Sequence, residues 1–133
     1  MTQAVTLVKR ALFTIGAHSE INPATPEMLQ IGVDYLADLL HDWDYEGIEL
    51  GTLTPANQNT DIGEPTGSRH AIILGLAVRM APVARVELAE AVRGEAQQAY
   101  RDLVVKFEKV YLPDREPSEA TASGAGNRRG SLS

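Results

Sequence analysis

Cysteine is absent from the 133 residues. That excludes a disulfide scaffold, a thiol nucleophile and any zinc site built on sulfur, and leaves the redox compartment open. No run of 18 apolar residues occurs, so no helix is expected to span a membrane. The first ten residues lack a basic stretch followed by an apolar core and a small-residue cleavage site, so they do not read as a secretory signal. Aromatic residues are only 5% of the chain. Basic residues are missing from a long stretch: between Ala11 and Ser68 there are ten carboxylates and no Lys or Arg. From Arg69 onward ten basic and eight acidic residues mix, and the formal net charge is −6. Phosphate contacts dominate nucleic-acid affinity and need a basic patch, so a sequence-reading DNA binder is disfavoured. The acidic stretch is read in one of three ways: a solvated surface, a face toward something negative that must not stick, or a face toward a basic partner.

What is present reads as a small all-α bundle of about four helices in one domain over residues 1–112. A short extended segment and a long loop separate helices 2 and 3, and an extended tail covers residues 113–133. Val5, Val8, Leu12 and Ile15 recur at helical spacing, and Gly16 is a natural stop. Thr25-Pro26-Glu27 carries an N-cap residue, a proline at the first helical position and an acid in the first turn. Leu29, Val33, Leu36, Leu40 and Trp43 then make one stripe, with Asp34, Asp38 and Asp42 along another face, and the helix ends near Gly47. Ile48 to Thr54 alternates as a short strand does. Pro55 to Gly67 has the composition of a loop, and its length suggests a functional or packed role. Ser68 is expected to cap a third helix reaching Met80, apolar nearly all round and so buried on all sides, which Pro82 ends or kinks. A fourth helix is expected over Val86–Val110, with Ala89, Val92, Ala96, Ala99, Tyr100, Leu103, Phe107 and Val110 as its apolar stripe. Residues 113–133 are too poor in large apolar side chains to fold alone, and are expected to order only on a partner.

Little in this inventory points to catalysis. His18, His41 and His70 fall on separate segments without ligand spacing, and His41-Asp42 with Asp44 is the nearest approach to a metal cluster. Ser68 and His70 are two apart, a spacing that does not bring side chains together on a helix. Gly63 to Ser68 has glycines but no lysine, unlike a phosphate-cradling loop. The chain is therefore expected not to be an enzyme and to use no metal or cofactor.

The order of the segments resembles the head-to-tail adaptors, or tail accessory factors, of tailed phages, the podovirus packaged-DNA-stabilisation family. A first helix closes in Ile15-Gly16. A second opens with Thr25-Pro26-Glu27 and closes in Leu39-Leu40-His41-Asp42-Trp43. An extended acidic-polar region follows, then His70-Ala71-Ile72-Ile73-Leu74-Gly75-Leu76-Ala77-Val78-Arg79-Met80-Ala81-Pro82, then a long helix. The resemblance covers roughly residues 3–110. It implies a structural virion protein, assembled in the host cytoplasm into a ring, dodecameric in the best-known members. That ring would sit below the portal, extend the DNA channel and offer a docking platform to the tail or nozzle protein. DNA would pass without sequence-specific binding. On this reading the tail meets the portal through Pro113, Arg115, Arg128, Arg129 and Leu132. The loop residues Asn57, Asn59, Asp61 and Glu64 meet the tail side or a neighbouring subunit, Asp34, Asp38 and Asp42 face the channel, and the mixed-charge outer face of the fourth helix makes subunit contacts. The alternatives are a ring adaptor of a myovirus or siphovirus, and a soluble helical regulatory or interaction protein such as a toxin–antitoxin partner.

Overall fold

The computed structural model describes residues 2–108 and, beyond them, only the backbone of two short strands, β1 (Gly124–Asn127) and β2 (Arg129–Leu132), which pair antiparallel. Four helices build the domain: α1 (Ala4–Thr14), α2 (Pro26–Tyr45), α3 (Arg69–Met80) and α4 (Glu90–Phe107). The fold is the small all-α bundle that the periodicity predicts. The central helix, α3, touches each of the other three, whereas α4 packs along α3 and reaches α2 only through side chains. The core gathers Leu7, Val8 and Leu12 of α1, Val33, Leu36 and Trp43 of α2, and Ile72, Leu76 and Met80 of α3.

Helix ends follow local chemistry closely in the first half of the chain. The Thr25 hydroxyl accepts the Met28 N–H at 3.1 Å, and Pro26 occupies the first helical position. Both α1 and α2 stop in a glycine of left-handed conformation, Gly16 (φ 78°) and Gly47 (φ 95°). In each, two N–H groups fold back on the last turn: Gly16 to Phe13 and Ala17 to Leu12, then Gly47 to Asp44 and Ile48 to Trp43. This paired closure satisfies carbonyls that the helix itself leaves open.

The long connection between α2 and α3 is an ordered part of the bundle. Gln3 offers α1 no side-chain cap. The loop does that work instead: the Ala4 N–H donates to the Thr60 carbonyl at 2.8 Å and the Val5 N–H to the Gln58 carbonyl at 2.9 Å. A helix start leaves such donors unpaired unless something outside the helix accepts them. Ile62 is fully buried beside this junction, and its N–H donates to the Thr2 carbonyl.

Several expectations need correction. Ile48 to Thr54 forms no strand, and Gly51 in its middle takes a left-handed conformation (φ 68°). The segment makes a single bridge, Ile48 opposite Glu108, and the Glu49 N–H donates to the Phe107 carbonyl. Ser68 precedes α3 yet does not cap it with its side chain; the buried hydroxyl donates to the Pro65 carbonyl at 2.7 Å. Burial of α3 is not uniform, because Ile73, Gly75 and Val78 stay half-exposed. The fourth helix begins at Glu90 rather than Val86 and its described end is Phe107. Of its expected stripe only Leu103 is fully buried, Ala89 is exposed, and Val110 lies outside the described residues.

The late start of α4 has a backbone cause. Beyond Pro82 the chain continues one more helical turn, with the Ala84 N–H on the Met80 carbonyl. It then closes as α1 and α2 do, Arg85 to Pro82 and Val86 to Ala81, but the left-handed residue is Arg85, at φ 57°. A side chain in that conformation costs roughly 1–2 kcal/mol that glycine does not incur. Arg85→Gly is expected to stabilise the domain by about 1 kcal/mol, read as a raised urea midpoint at unchanged slope. A lowered midpoint would mean that the arginine side chain contributes more than its backbone costs.

Candidate functional surfaces

The carboxylates singled out on α2 do share one face, but they are not equivalent. Asp34 is exposed and accepts from Gln30 at 3.3 Å, and Asp38 is exposed. Asp42 is half-buried and paired with Arg79 of α3 at 2.9 Å. Glu27 and Ile31 continue the exposed face toward the helix start, and Tyr45, 89% exposed, ends it.

The four loop residues have separate tasks. The Asn57 carboxamide accepts the Asn59 N–H at 2.8 Å, and Asp61 accepts the Gly63 N–H at 3.0 Å, so both shape the loop itself. The Asn59 side chain is exposed. The Glu64 side chain is 2% exposed and takes the Arg69 Nε at 3.0 Å through Oε2. Its Oε1 is buried with no partner of good hydrogen-bond geometry. Burial alone would raise the Glu64 pKa. The Thr2 hydroxyl, the residue's own N–H and Arg69 together outweigh that and hold it below its ordinary value. Of the tail residues, Pro113, Arg115 and Arg128 lie outside the described residues, as do the side chains of Arg129 and Leu132.

Two surfaces emerge that the sequence did not reveal. One is an open cleft where α1 meets the chain that follows it. His18 and His70 both line it, with Lys9, Arg10, Phe13 and Ile73. The His18 Nδ1 accepts the Ala24 N–H at 3.0 Å, which ties that ring to the turn before α2. Among the described residues no group of three His, Asp or Glu is placed to hold a metal ion. No described helix is long and apolar enough to cross a membrane.

The second surface is a groove of about 490 Å³ between α2 and α4, floored by α3. Its walls are Leu39 and Trp43 on one side and Ala96 and Tyr100 on the other. The floor is open because Gly75 has no side chain: a Cβ there would lie 3.1 Å from the Trp43 ring. Arg79, Arg93 and Arg101 stand around it. Only one of the three, Arg79, has a carboxylate partner among the described residues. The residues were visible in the sequence as separate helical positions; their meeting depends on how α2 and α4 flank α3.

Tyr100 joins the two walls. Its ring lies 5.8 Å from Trp43, centroid to centroid, and its hydroxyl donates to Glu46. That hydrogen bond, then burial and the negative charges of Glu46 and Glu108, push the Tyr100 pKa up to about 12 from its ordinary 10. Because the folded value is the higher one, the neutral phenol's contribution to stability is complete below pH 10 and is lost as pH rises through about 12. An alkaline ultraviolet titration of the folded protein is expected to show a late phenolate step that Tyr100→Phe removes. A Phe variant that leaves the late step unchanged would assign it elsewhere.

No family model and no curated protein matches this chain.

Proposed function

We propose that this chain is the subunit of a ring-shaped head-to-tail adaptor of a tailed-phage virion, assembled in the host cytoplasm, with the portal protein above it and a tail or nozzle protein below. The observation that supports this reading best is the order of its parts. A short α1 is capped by the ordered loop Pro55–Gly67, and an acid-faced α2 packs on an apolar central α3. A charged α4 then leads directly into residues 109–133. The work of such a subunit is mechanical. It extends the channel and presents surfaces, and it needs neither a metal nor a catalytic group. The carboxylate-rich stretch before Ser68 repels a passing duplex, so DNA slides through without being held. Residues 113–133 fold on the portal, and the contact must exceed the entropy lost in ordering them. Many copies around a ring multiply a weak single contact.

Native mass spectrometry of the purified chain mixed with its portal tests the reading. The expected product is a portal carrying a fixed multiple of 14.4 kDa subunits. Removing residues 113–133 is expected to leave the helical circular dichroism intact and to abolish attachment. A chain that stays monomeric or dimeric with the portal present would instead mark it as a soluble interaction protein. Normal docking by the truncated chain would remove the tail from the portal contact.

A further inference from the structure

The arginine-rimmed groove and the acidic face of α2 are different surfaces of one molecule, with opposite charge and matching character. The groove offers aromatic and aliphatic walls, with Arg93 and Arg101 unneutralised by any carboxylate among the described residues. The α2 face offers exposed Glu27, Asp34 and Asp38, interrupted by Ile31, 37% exposed, and ended by Tyr45. Residues 27, 31, 34 and 38 fall on one stripe, because side chains three and four apart on a helix are neighbours.

We propose that the outer face of α2 of one copy seats in the α2–α3–α4 groove of the next copy, with Asp34 and Asp38 against Arg93 and Arg101 and Ile31 over the Trp43 and Tyr100 rings. The chemistry is that of a specific protein contact: an apolar and aromatic centre with arginine at its margin. Because the two surfaces differ, the contact is head-to-tail. Such a contact repeats from copy to copy and closes into a ring when its rotation permits. The inference deepens the adaptor reading and rests on it for the ring, while the pairing of the two faces stands on their charge and apolar character. It puts Asp34 and Asp38 in the seam between subunits, and leaves the exposed Asp44 and Asp61 as channel-facing candidates.

A charge swap on the full-length chain tests the pairing. One variant carries Asp34→Arg and Asp38→Arg; the other carries Arg93→Glu and Arg101→Glu. All four positions are exposed, so both variants are expected to keep the wild-type circular dichroism and melting behaviour. Sedimentation at low salt is expected to show concentration-dependent association of the wild type, weakened by added salt. Each variant alone is expected to associate at least tenfold more weakly. An equimolar mixture of the two is expected to recover association, because each reversed face then meets an opposite charge on the other variant.

Failure of the mixture to recover, variants that associate as the wild type does, or a wild type that remains at 14.4 kDa up to millimolar concentration would each overturn the proposal. Portal binding separates this from the adaptor reading. Attachment that survives in both variants with unchanged stoichiometry would sink the seam and keep the adaptor. Self-association that follows the charge rule without any portal attachment would keep the seam and sink the adaptor.

Discussion

Gly32→Ala is expected to cost the domain about 2 kcal/mol, although alanine is by far the better helix former. Gly32 is buried in the middle of α2, where α1 crosses it. A Cβ at this position would lie 2.2 Å from Val8 Cγ1 and 3.1 Å from Cγ2, well inside contact distance. Val8 has no room to yield. It is fully buried, and a β-branched side chain in a helix is held almost entirely in one rotamer. The helices must therefore separate, and overpacking of this kind costs roughly 1–3 kcal/mol or more. The gain in helix propensity, up to about 1 kcal/mol, offsets only part of it. The expected loss corresponds to a melting temperature lower by about 10 °C for a domain of this size. A double-mutant cycle checks the cause. Val8→Ala alone leaves a cavity and destabilises, but combined with Gly32→Ala it frees the space that the new methyl needs. The pair is expected to couple favourably by about 1 kcal/mol or more. Strictly additive losses would mean that the Val8–Gly32 contact is not what makes residue 32 a glycine.

Gly32 also shows where the sequence stops being legible. Inside a helical pattern it reads only as a weak spot, and nothing in its neighbours names Val8 as the reason. By contrast the ends of α1 and α2 were readable because their chemistry is local: Gly16, Gly47 and Thr25-Pro26 act within a few residues of themselves. The start of α4 is illegible for the opposite reason. Arg85 holds a left-handed conformation that no arginine advertises, and Val86-Glu87-Leu88-Ala89 stays outside any helix, with Val86 and Leu88 half-buried and Glu87 and Ala89 exposed. That alternation was available in the letters but continued smoothly into a helical pattern. The composition of Pro55–Gly67 marks it as a loop, but not as the cap of α1, since the donors it satisfies lie more than fifty residues away in sequence. The candidate surfaces divide in the same way. The acidic stripe of α2 follows from spacing within one helix. The groove needs three helices brought together: the letters mark Arg93 and Arg101 only as part of the mixed-charge outer face of α4, and nothing in them puts that face across Gly75 from α2.

Leu103→Ala is expected to have the other large effect, and a selective one. Leu103 is the only fully buried residue of α4; Val92, Ala96, Ala99, Tyr100, Val104 and Phe107 are half-buried, and the rest of the helix faces outward. Truncating a buried leucine costs about 2–5 kcal/mol. In most helices that loss would be shared by the whole domain. Here the backbone of α4 packs on α3 alone among the helices, and its ties elsewhere include the Trp43–Tyr100 ring contact, the Tyr100–Glu46 hydrogen bond and the Glu49 N–H on the Phe107 carbonyl. An 18-residue helix with this little burial is marginal by itself in water. The expected result is local opening: amide hydrogen exchange in α4 quickens about 100-fold, which corresponds to roughly 3 kcal/mol, while the buried amides of α1 and α2 change far less. Leu12→Ala, in the core shared by α1 and α3, is the contrast, since it should quicken exchange throughout. If Leu103→Ala instead lowers protection evenly, α4 is an integral part of the cooperative unit. The distinction bears on function, because α4 carries Arg93, Arg101 and Tyr100 of the groove and leads into residues 109–133. A helix that opens as a unit would lose the self-association surface together with the anchor of the proposed portal segment. Leu103→Ala should then abolish both attachments at temperatures where α1, α2 and α3 remain folded.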